Sequence, residues 1–176
     1  QESQAERTAR SEFIAEQVAA YRPESILEIG CGYGKQLAAL RARLQAPLVG
    51  VDWSWSQLDM ARTLHRSHNG ILLLRADGAH LPFADKSFDV VLTSAVILHN
   101  PPKMAAAIRR EVCRVGRRLA FHNEDTNSSF SRFGYDTGAE YRRLGYEVLD
   151  SRPIPCAAEP ASTQFCVVDL QSSASA

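Results

Sequence analysis

Several features common in membrane and secreted proteins are missing from this 176-residue sequence. No apolar run approaches the ~20 residues that a membrane-spanning helix needs. The amino terminus lacks a basic segment followed by an apolar one, which is the pattern of a secretory signal. The four cysteines include no CxxC pair and do not have the spacing of a disulfide-rich scaffold. We therefore expect a cytoplasmic protein that has no membrane partner.

An excess of either charge is also missing. The chain has 20 basic and 20 acidic residues, and its formal net charge is zero. Proteins that bind nucleic acids or anionic membranes usually carry a basic face. The composition therefore argues against both kinds of partner, and we expect no nucleic acid to be bound.

Alternating strand and helix patterns run through the chain. Short apolar runs predict strands at residues 25–29, 48–52, 71–77, 88–94, 117–122, 146–151 and 164–170. Apolar residues three and four positions apart predict helices at residues 2–21, 35–44, 103–115 and 135–144. Ser54 predicts the N-cap of one further helix, which lies between the second and third strands.

This order of elements predicts an α/β fold. Several strands are apolar without alternation, which is typical of parallel strands covered on both faces. Only a short loop separates the last two strands, and this favours an antiparallel hairpin at one edge. We expect a Rossmann-like, doubly wound, mostly parallel seven-stranded sheet with helices on both faces. The chain is predicted to form one domain, 1–176, in which residues 172–176 are disordered.

Three glycines follow the first strand directly. Gly30, Gly32 and Gly34 can adopt positive φ, and they leave bare backbone at the carboxyl end of a buried strand, where open α/β sheets bind ligands. The dinucleotide fingerprint G-x-G-x-x-G would place its third glycine at Lys35, so the spacing departs from that of NAD-binding proteins. Asp52 ends the second strand, where a carboxylate can accept hydrogen bonds from ribose hydroxyls. These residues predict a nucleoside ligand.

Three motifs together make the resemblance specific. Residues 28–34 read E-I-G-C-G-Y-G, residues 52–58 read D-W-S-W-S-Q-L, and residues 77–89 contain D-G-A, L-P-F and S-F-D. In this order and spacing, the chain resembles the class I S-adenosylmethionine-dependent methyltransferases, in particular their small-molecule, type 11-like branch. The match covers about residues 25–94. The resemblance implies that S-adenosylmethionine is the cofactor and S-adenosylhomocysteine the product.

The resemblance also implies roles for residues near the glycine turn. The backbone at Gly30, Cys31 and Gly32 would pass beside the methionine part of the cofactor. Glu28 would support the turn from below. Ser94, at the end of the fourth strand, would lie by the amino-acid end of the cofactor.

A second group of implied contacts concerns the adenosine. Asp52 would hold the ribose hydroxyls, while Trp53 and Gln57 would flank the nucleoside. Gln57 replaces the methionine that the family usually has at this position. The implied contacts to the adenine are Asp77, Gly78 and Ala79.

Two histidines at the ends of later strands are candidate general bases. The unperturbed pKa of about 6.5 suits proton removal near neutrality, and we predict this role for His99 and His122. The polar segment 122–127 would suit a sugar, an amine, a polar acid or a divalent ion. A metal-assisted transfer would need a further acidic ligand after the fourth strand, and the chain has none there. We therefore predict no metal.

The predicted function is transfer of a methyl group from S-adenosylmethionine to an oxygen or nitrogen of a small polar metabolite. Two alternatives stay open, a non-catalytic cofactor-binding partner subunit and an NAD-linked oxidoreductase. The amino-terminal helix, residues 1–21, is predicted to close over the cofactor as a lid. Residues 127–134 form only a short insertion, so the pocket is expected to be open or completed by another subunit. We expect a monomer or a homodimer.

Overall fold

The computed structural model describes residues 3–66, 70–157 and 161–172. Its strands are β1 (Ile26–Ile29), β2 (Leu48–Asp52), β3 (Ile71–Arg75), β4 (Phe88–Ser94), β5 (Gly116–Asp125), β6 (Glu147–Pro153) and β7 (Thr163–Asp169). Its α-helices are α1 (Gln4–Ala20), α2 (Lys35–Arg41), α3 (Trp55–Leu64), α4 (Pro102–Val115) and α5 (Thr137–Arg143). A short 3₁₀ helix, Ile97–His99, lies between β4 and α4.

One seven-stranded sheet organises the chain. The strand order is β3-β2-β1-β4-β5-β7-β6, and β7 alone runs opposite to the other six strands. The predicted mostly parallel sheet with an antiparallel hairpin at one edge is therefore confirmed. The neighbours of β1 are β2 on one side and β4 on the other, so the strand order reverses at β1. Open α/β sheets bind ligands at the carboxyl ends of strands beside such a reversal.

The core has a layer on each face of the sheet. One layer joins α1, α2 and α3 to side chains such as Ile26, Leu92 and Phe121. The other layer joins α4 and α5 to side chains such as Leu27 and Val91. All four residues of β1 are buried, as are six of the seven residues of β4, because helices cover both faces there.

Helix α1 belongs to the first of these layers. It begins with a capping box, in which Ser3 and Glu6 satisfy each other's backbone amides. Ile14, Ala15 and Val18 are buried in the core, and the helix packs against α2. The helix predicted to be a lid therefore forms part of the body of the domain in this structure.

Strand β5 differs most from its prediction. It runs to Asp125, three residues beyond the predicted end at His122. The polar residues at its end remain paired with β7, in a register that extends to Asp125 opposite Thr163. Strong polarity suggests a strand end, but here His122, Asn123 and Glu124 are buried and hydrogen-bonded.

Two further observations concern the chain as a whole. Of the tail predicted to be disordered, residues 173–176 lie outside the described residues. Within the described ranges, the helices are too short or too polar to cross a bilayer.

Candidate functional site

A cavity of about 540 Å³ lies at the carboxyl ends of β1, β2, β3 and β4. This volume is within the range of small-molecule sites. Its lining residues are Ile29, Gly30, Val51, Asp52, Trp53, Ala76, Asp77, Gly78, Ala95, Val96, His99, Asn100, Met104 and Ile108. Among the predicted site residues, the structure thus brings six to one cavity: Gly30, Asp52, Trp53, Asp77, Gly78 and His99.

The glycine turn forms the floor of the cavity beside β1. Gly30 has a φ of +69°, which side-chain-bearing residues rarely adopt. A Cβ atom at Gly30 would lie 2.3 Å from Cγ2 of Val96, so the second residue after β4 packs directly on this backbone. Glycine at this position therefore satisfies two requirements, a left-handed backbone and close packing of the neighbouring segment.

Asp52 is held rigidly at the end of β2. The Gly32 amide donates to its Oδ2 and the Ser54 amide donates to its Oδ1, each over 2.8 Å. A carboxylate oxygen accepts more than one hydrogen bond, so both oxygens can still accept from a ligand. These two bonds tie the carboxylate to the glycine turn and to the start of α3. The residue is thereby oriented before a ligand arrives.

Two predicted residues lie beneath the turn, outside the lining of the cavity. Glu28 is buried, and its Oε2 has no hydrogen-bond partner among the residues that the structure describes. Burial, and secondarily the negative charge of Asp52, raises the pKa of Glu28 well above its ordinary value. Burial also raises the pKa of the Cys31 thiol, as do the charges of Glu28 and Asp52, so the thiol remains protonated. Cys31 therefore fills space in the turn.

The loop after β3 carries the second carboxylate of the cavity. The Ala79 amide donates to Oδ1 of Asp77 over 2.9 Å, and Nδ1 of His80 lies 3.1 Å from Oδ2. These two hydrogen bonds lower the pKa of Asp77. Ala79 itself is buried below the loop. Asp77 is thus an ionised acceptor at the rim of the cavity.

An arginine network fixes the far end of this loop. Arg114 donates to the carbonyl oxygens of Phe83 and Leu81, over 2.7 and 3.0 Å. It also pairs with Asp85 and Glu111, and Glu111 accepts from the Leu81 amide. The connection between β3 and β4 is therefore held by Arg114 and Glu111 of α4, although this loop contains no helix of its own.

Trp53 lines the side of the cavity next to α3, and Gln57 lies beside that lining. Trp53 is 66% exposed, and the Arg75 guanidinium lies 4.8 Å from the centre of its ring. Gln57 is half-buried, and its Oε1 would lie 3.6 Å from a Cβ atom at Gly32. Gln57 therefore faces the glycine turn from a position adjacent to the cavity lining.

The segment after β4 forms the opposite wall. Ser94 accepts a 2.7 Å hydrogen bond from the Asn123 side chain and lies just behind the lining residues. Ala95 has a φ of +55°, an uncommon value for a residue other than glycine. The 3₁₀ helix that follows brings His99 to the cavity, where its side chain is exposed.

His122 does not share this position, contrary to its predicted role as a base. It is fully buried, its Nδ1 lies 2.8 Å from the Thr93 hydroxyl, and its ring packs on Tyr141 with centroids 4.9 Å apart. Burial, and secondarily the positive charge of Arg109, lowers its pKa to about 3. An imidazole with this pKa and no access to the cavity is unsuited to accepting a substrate proton.

Sequence reasoning missed several lining residues. Met104 and Ile108 are one helical turn apart on α4, and this i, i+4 spacing was the available signal. Val96 carried no such signal, since its position depends on contact with Gly30. Glu124 was noticed only as part of a polar segment. In the structure it is buried and bonded to residues after β4.

Comparison with known proteins agrees with this geometry. A family model described as a methyltransferase domain matches residues 26–118. Methyltransferase GfsG of Streptomyces halstedii is 37% identical over 101 residues, which are 54% of this chain and 36% of the relative. O-methyltransferase rstn1 of Aspergillus nomiae NRRL is 30% identical over 111 residues, which are 61% of this chain and 49% of the relative. The chain therefore spans between a third and a half of the length of these two relatives.

Solved structures show the same fold. Magnesium protoporphyrin IX methyltransferase (ChlM) from Synechocystis PCC 6803, with bound S-adenosylhomocysteine, superposes with a TM-score of 0.79 at 13% identity. The superposition covers 94% of this chain and 84% of that chain. The matched family model spans more than half of the sequence and includes the glycine turn, Asp52 and Asp77. The chain belongs to the methyltransferase domain family, that is, to the class I S-adenosylmethionine-dependent methyltransferases.

Proposed function

We propose that this chain binds S-adenosylmethionine in the cavity and transfers its methyl group to an oxygen or nitrogen of a small polar acceptor. The observation that carries the proposal is the convergence of the glycine turn, Asp52 and Asp77 on one cavity beside the strand reversal. Membership of the methyltransferase family favours this function over the NAD-linked oxidoreductase. S-adenosylhomocysteine would be the product.

The residues fit the cofactor in chemical terms. Asp52 presents two oriented carboxylate oxygens, which suit the paired hydroxyls of a ribose. Asp77 can accept from an adenine amino group, and Gly78 keeps the neighbouring backbone accessible. Glu28 Oε2 is a buried carboxyl oxygen that has no partner within the described part of the chain, and it lies below the turn where the methionine part would lie. Val51, Met104 and Ile108 offer apolar walls for the adenosine.

S-adenosylmethionine supplies an electrophilic methyl group on a sulfonium. The protein has to align the acceptor with that methyl, exclude water and receive a proton where the acceptor requires it. His99 is the histidine at the cavity with an exposed side chain, so we assign it the role of proton acceptor. Val96 and Ile108 keep the inner part of the cavity apolar.

The acceptor would approach near the end of the 3₁₀ helix. Tyr135 donates from its hydroxyl to the Asn100 carbonyl over 2.7 Å, and the Phe133 amide donates to the Leu98 carbonyl over 2.7 Å. These bonds bring two aromatic residues of the loop after β5 next to His99. The name of the relative rstn1, an O-methyltransferase, supports an oxygen acceptor. Since the chain covers only part of its relatives, other segments of a longer protein could complete this wall.

Calorimetric titration tests the cofactor assignment. The native chain should bind S-adenosylmethionine and S-adenosylhomocysteine but not NAD. Asp52→Asn should weaken both sulfur nucleosides at least tenfold, about 1.4 kcal/mol, because an amide offers only one oxygen acceptor. Asp59→Asn, an exposed acid on α3, is the matched control and should leave the affinity unchanged. Binding of NAD alone would refute the proposal.

The proposed catalytic step needs a second measurement. A panel of hydroxyl- and amine-bearing metabolites would be scored by release of S-adenosylhomocysteine. With an active acceptor, His99→Gln should lower kcat more than it changes cofactor affinity. Tight cofactor binding without turnover on any acceptor would favour the alternative of a non-catalytic partner subunit.

A further inference from the structure

Glu124 lies at the carboxyl end of β5 and is 1% exposed. The Thr93 hydroxyl donates to its Oε1 over 2.8 Å. The Val96 amide lies 3.2 and 3.1 Å from its two oxygens, and the Leu98 amide donates to Oε2 over 3.2 Å. One buried carboxylate therefore receives three donors, two of which are backbone amides of the segment after β4.

The segment after β4, residues 95–98, has a strained conformation that contacts with other residues must stabilise. Ala95 has a positive φ, which costs free energy for a residue with a Cβ atom and persists only where the surroundings enforce it. The Ala95 amide donates to the Asn123 carbonyl over 2.8 Å. Together with the bonds to Glu124, this contact ties residues 95–98 to the end of β5.

The same segment shapes the cavity. Val96 packs on the backbone of Gly30 and lines the cavity. His99, the last residue of the 3₁₀ helix, and Asn100, which follows it, also line the cavity. The Asn100 side chain donates to the Val96 carbonyl over 2.8 Å, which closes the turn. A shift of the two amides held by Glu124 would therefore move one wall of the cavity.

A glutamate side chain suits this arrangement. Every contact described above places a donor against the carboxylate, and a carboxylate has acceptor capacity on both oxygens. A glutamine would turn its NH₂ group toward another donor, and an aspartate would be one methylene too short. Burial raises the pKa of Glu124 to about 7, while the bonds from Thr93, Leu98, Val96 and Ile97 act in the opposite direction.

We propose that Glu124 is a positioning residue, which fixes residues 95–98 and thereby sets the affinity of the cavity for the cofactor. The proposal rests on the proposed function, in which this cavity binds S-adenosylmethionine. It assigns Glu124 no contact with the cofactor. Its effect passes through Val96 to the wall opposite Asp52.

Glu124→Gln tests the proposal, with Asp125→Asn as a matched control. Asp125 is the next residue of β5, and its carboxylate pairs with Arg132 instead of the segment after β4. Two quantities would be measured well below the melting temperature: the dissociation constant for S-adenosylhomocysteine, and amide hydrogen exchange at residues 95–98. We expect Glu124→Gln to weaken binding at least tenfold and to speed this exchange, with exchange in β1 unchanged. Asp125→Asn should alter neither.

If Glu124 had a purely structural role, Glu124→Gln would lower the melting temperature, but the folded variant would still bind S-adenosylhomocysteine within twofold of the native chain. That result would overturn the proposal. If the native chain failed to bind S-adenosylhomocysteine, the proposed function would fail. The exchange measurement would still show whether Glu124 holds residues 95–98 in place. If Glu124→Gln did not fold, Thr93→Val would replace it, since it removes one donor to Glu124. Binding at least threefold weaker would then support the proposal, and native affinity with native exchange would refute it.

Discussion

We expect His122→Asn to gain stability relative to the native chain when the pH falls from 7 to 5. His122 is fully buried, and its pKa is lowered from 6.5 to about 3. Below pH 6.5 the unfolded chain therefore binds a proton that the folded chain does not, and the folded state loses stability as the pH falls. Asparagine keeps a polar group near the Thr93 hydroxyl but does not titrate.

The two pKa values give the size of the effect. With 6.5 in the unfolded chain and about 3 in the folded chain, His122 costs the folded state about 2 kcal/mol between pH 7 and pH 5. Glu124 acts in the opposite direction, because burial raises its pKa from 4.5 to about 7. The folded chain then holds a proton that the unfolded chain lacks, and this stability is lost as the pH rises through 7. From pH 7 to pH 5, Glu124 adds about 2 kcal/mol.

Urea unfolding at pH 5 and pH 7 measures both effects. When the pH falls from 7 to 5, the unfolding free energy of His122→Asn should rise by about 2 kcal/mol relative to that of the native chain. Over the same pH range, the unfolding free energy of Glu124→Gln should fall by about 2 kcal/mol relative to that of the native chain. Both side chains bond to Thr93, so their titrations are coupled. The double variant, which combines His122→Asn with Glu124→Gln, completes a double-mutant cycle that measures this coupling. A His122→Asn variant with the native pH dependence would show that the imidazole is not held neutral, and the reasoning would fail.

Two further substitutions test the walls of the cavity. Gly30→Ala should abolish measurable binding of S-adenosylhomocysteine and lower the melting temperature, because the new Cβ would meet Val96 at 2.3 Å on a backbone with positive φ. Calorimetry measures the binding and a thermal melt measures the stability. An affinity equal to that of the native chain would contradict this prediction. Arg114→Met should destabilise the fold by about 2 kcal/mol, since it leaves the Leu81 and Phe83 carbonyls without their donor. It should also weaken S-adenosylhomocysteine binding through the loop that carries Asp77, and an unchanged affinity would show that α4 does not position that loop.

The fold followed from the sequence chiefly because the first four strands are short and rich in valine, isoleucine and leucine. All seven were predicted, and the bounds of β2 and β4 agree with the structure to the residue. The end of β5 was missed because pairing with β7 overrides local polarity there. Polar side chains can be buried where each finds a partner, and sequence pattern alone does not reveal the partner.

The candidate site was also predictable only in part, because some of its residues are marked by the local sequence and others are placed by the fold. Gly30, Asp52 and Asp77 carry local signals, which are glycine spacing and an acid at the end of a strand. The direction of a side chain at the end of a strand depends on register, and a shift of one residue moves it to the other face. His122 pairs with Thr93 and faces Tyr141, so proximity to the carboxyl edge did not bring it to the cavity. Val96 belongs to the site through its contact with Gly30, in the turn after the neighbouring strand β1.

The unfavourable features near the carboxyl edge are informative when they are compared with similar features elsewhere. Arg22 and Lys86 also have positive φ, but both lie in exposed loops, where a strained backbone can relax against solvent. Ala95 is half-buried against the cavity, and its conformation is held by bonds to β5. Glu28 and Glu124 are buried beneath the same edge with raised pKa values, although apolar residues there would cost less. Strain and buried acids kept at one edge, at the expense of stability, are best explained by the demands of a ligand that binds there.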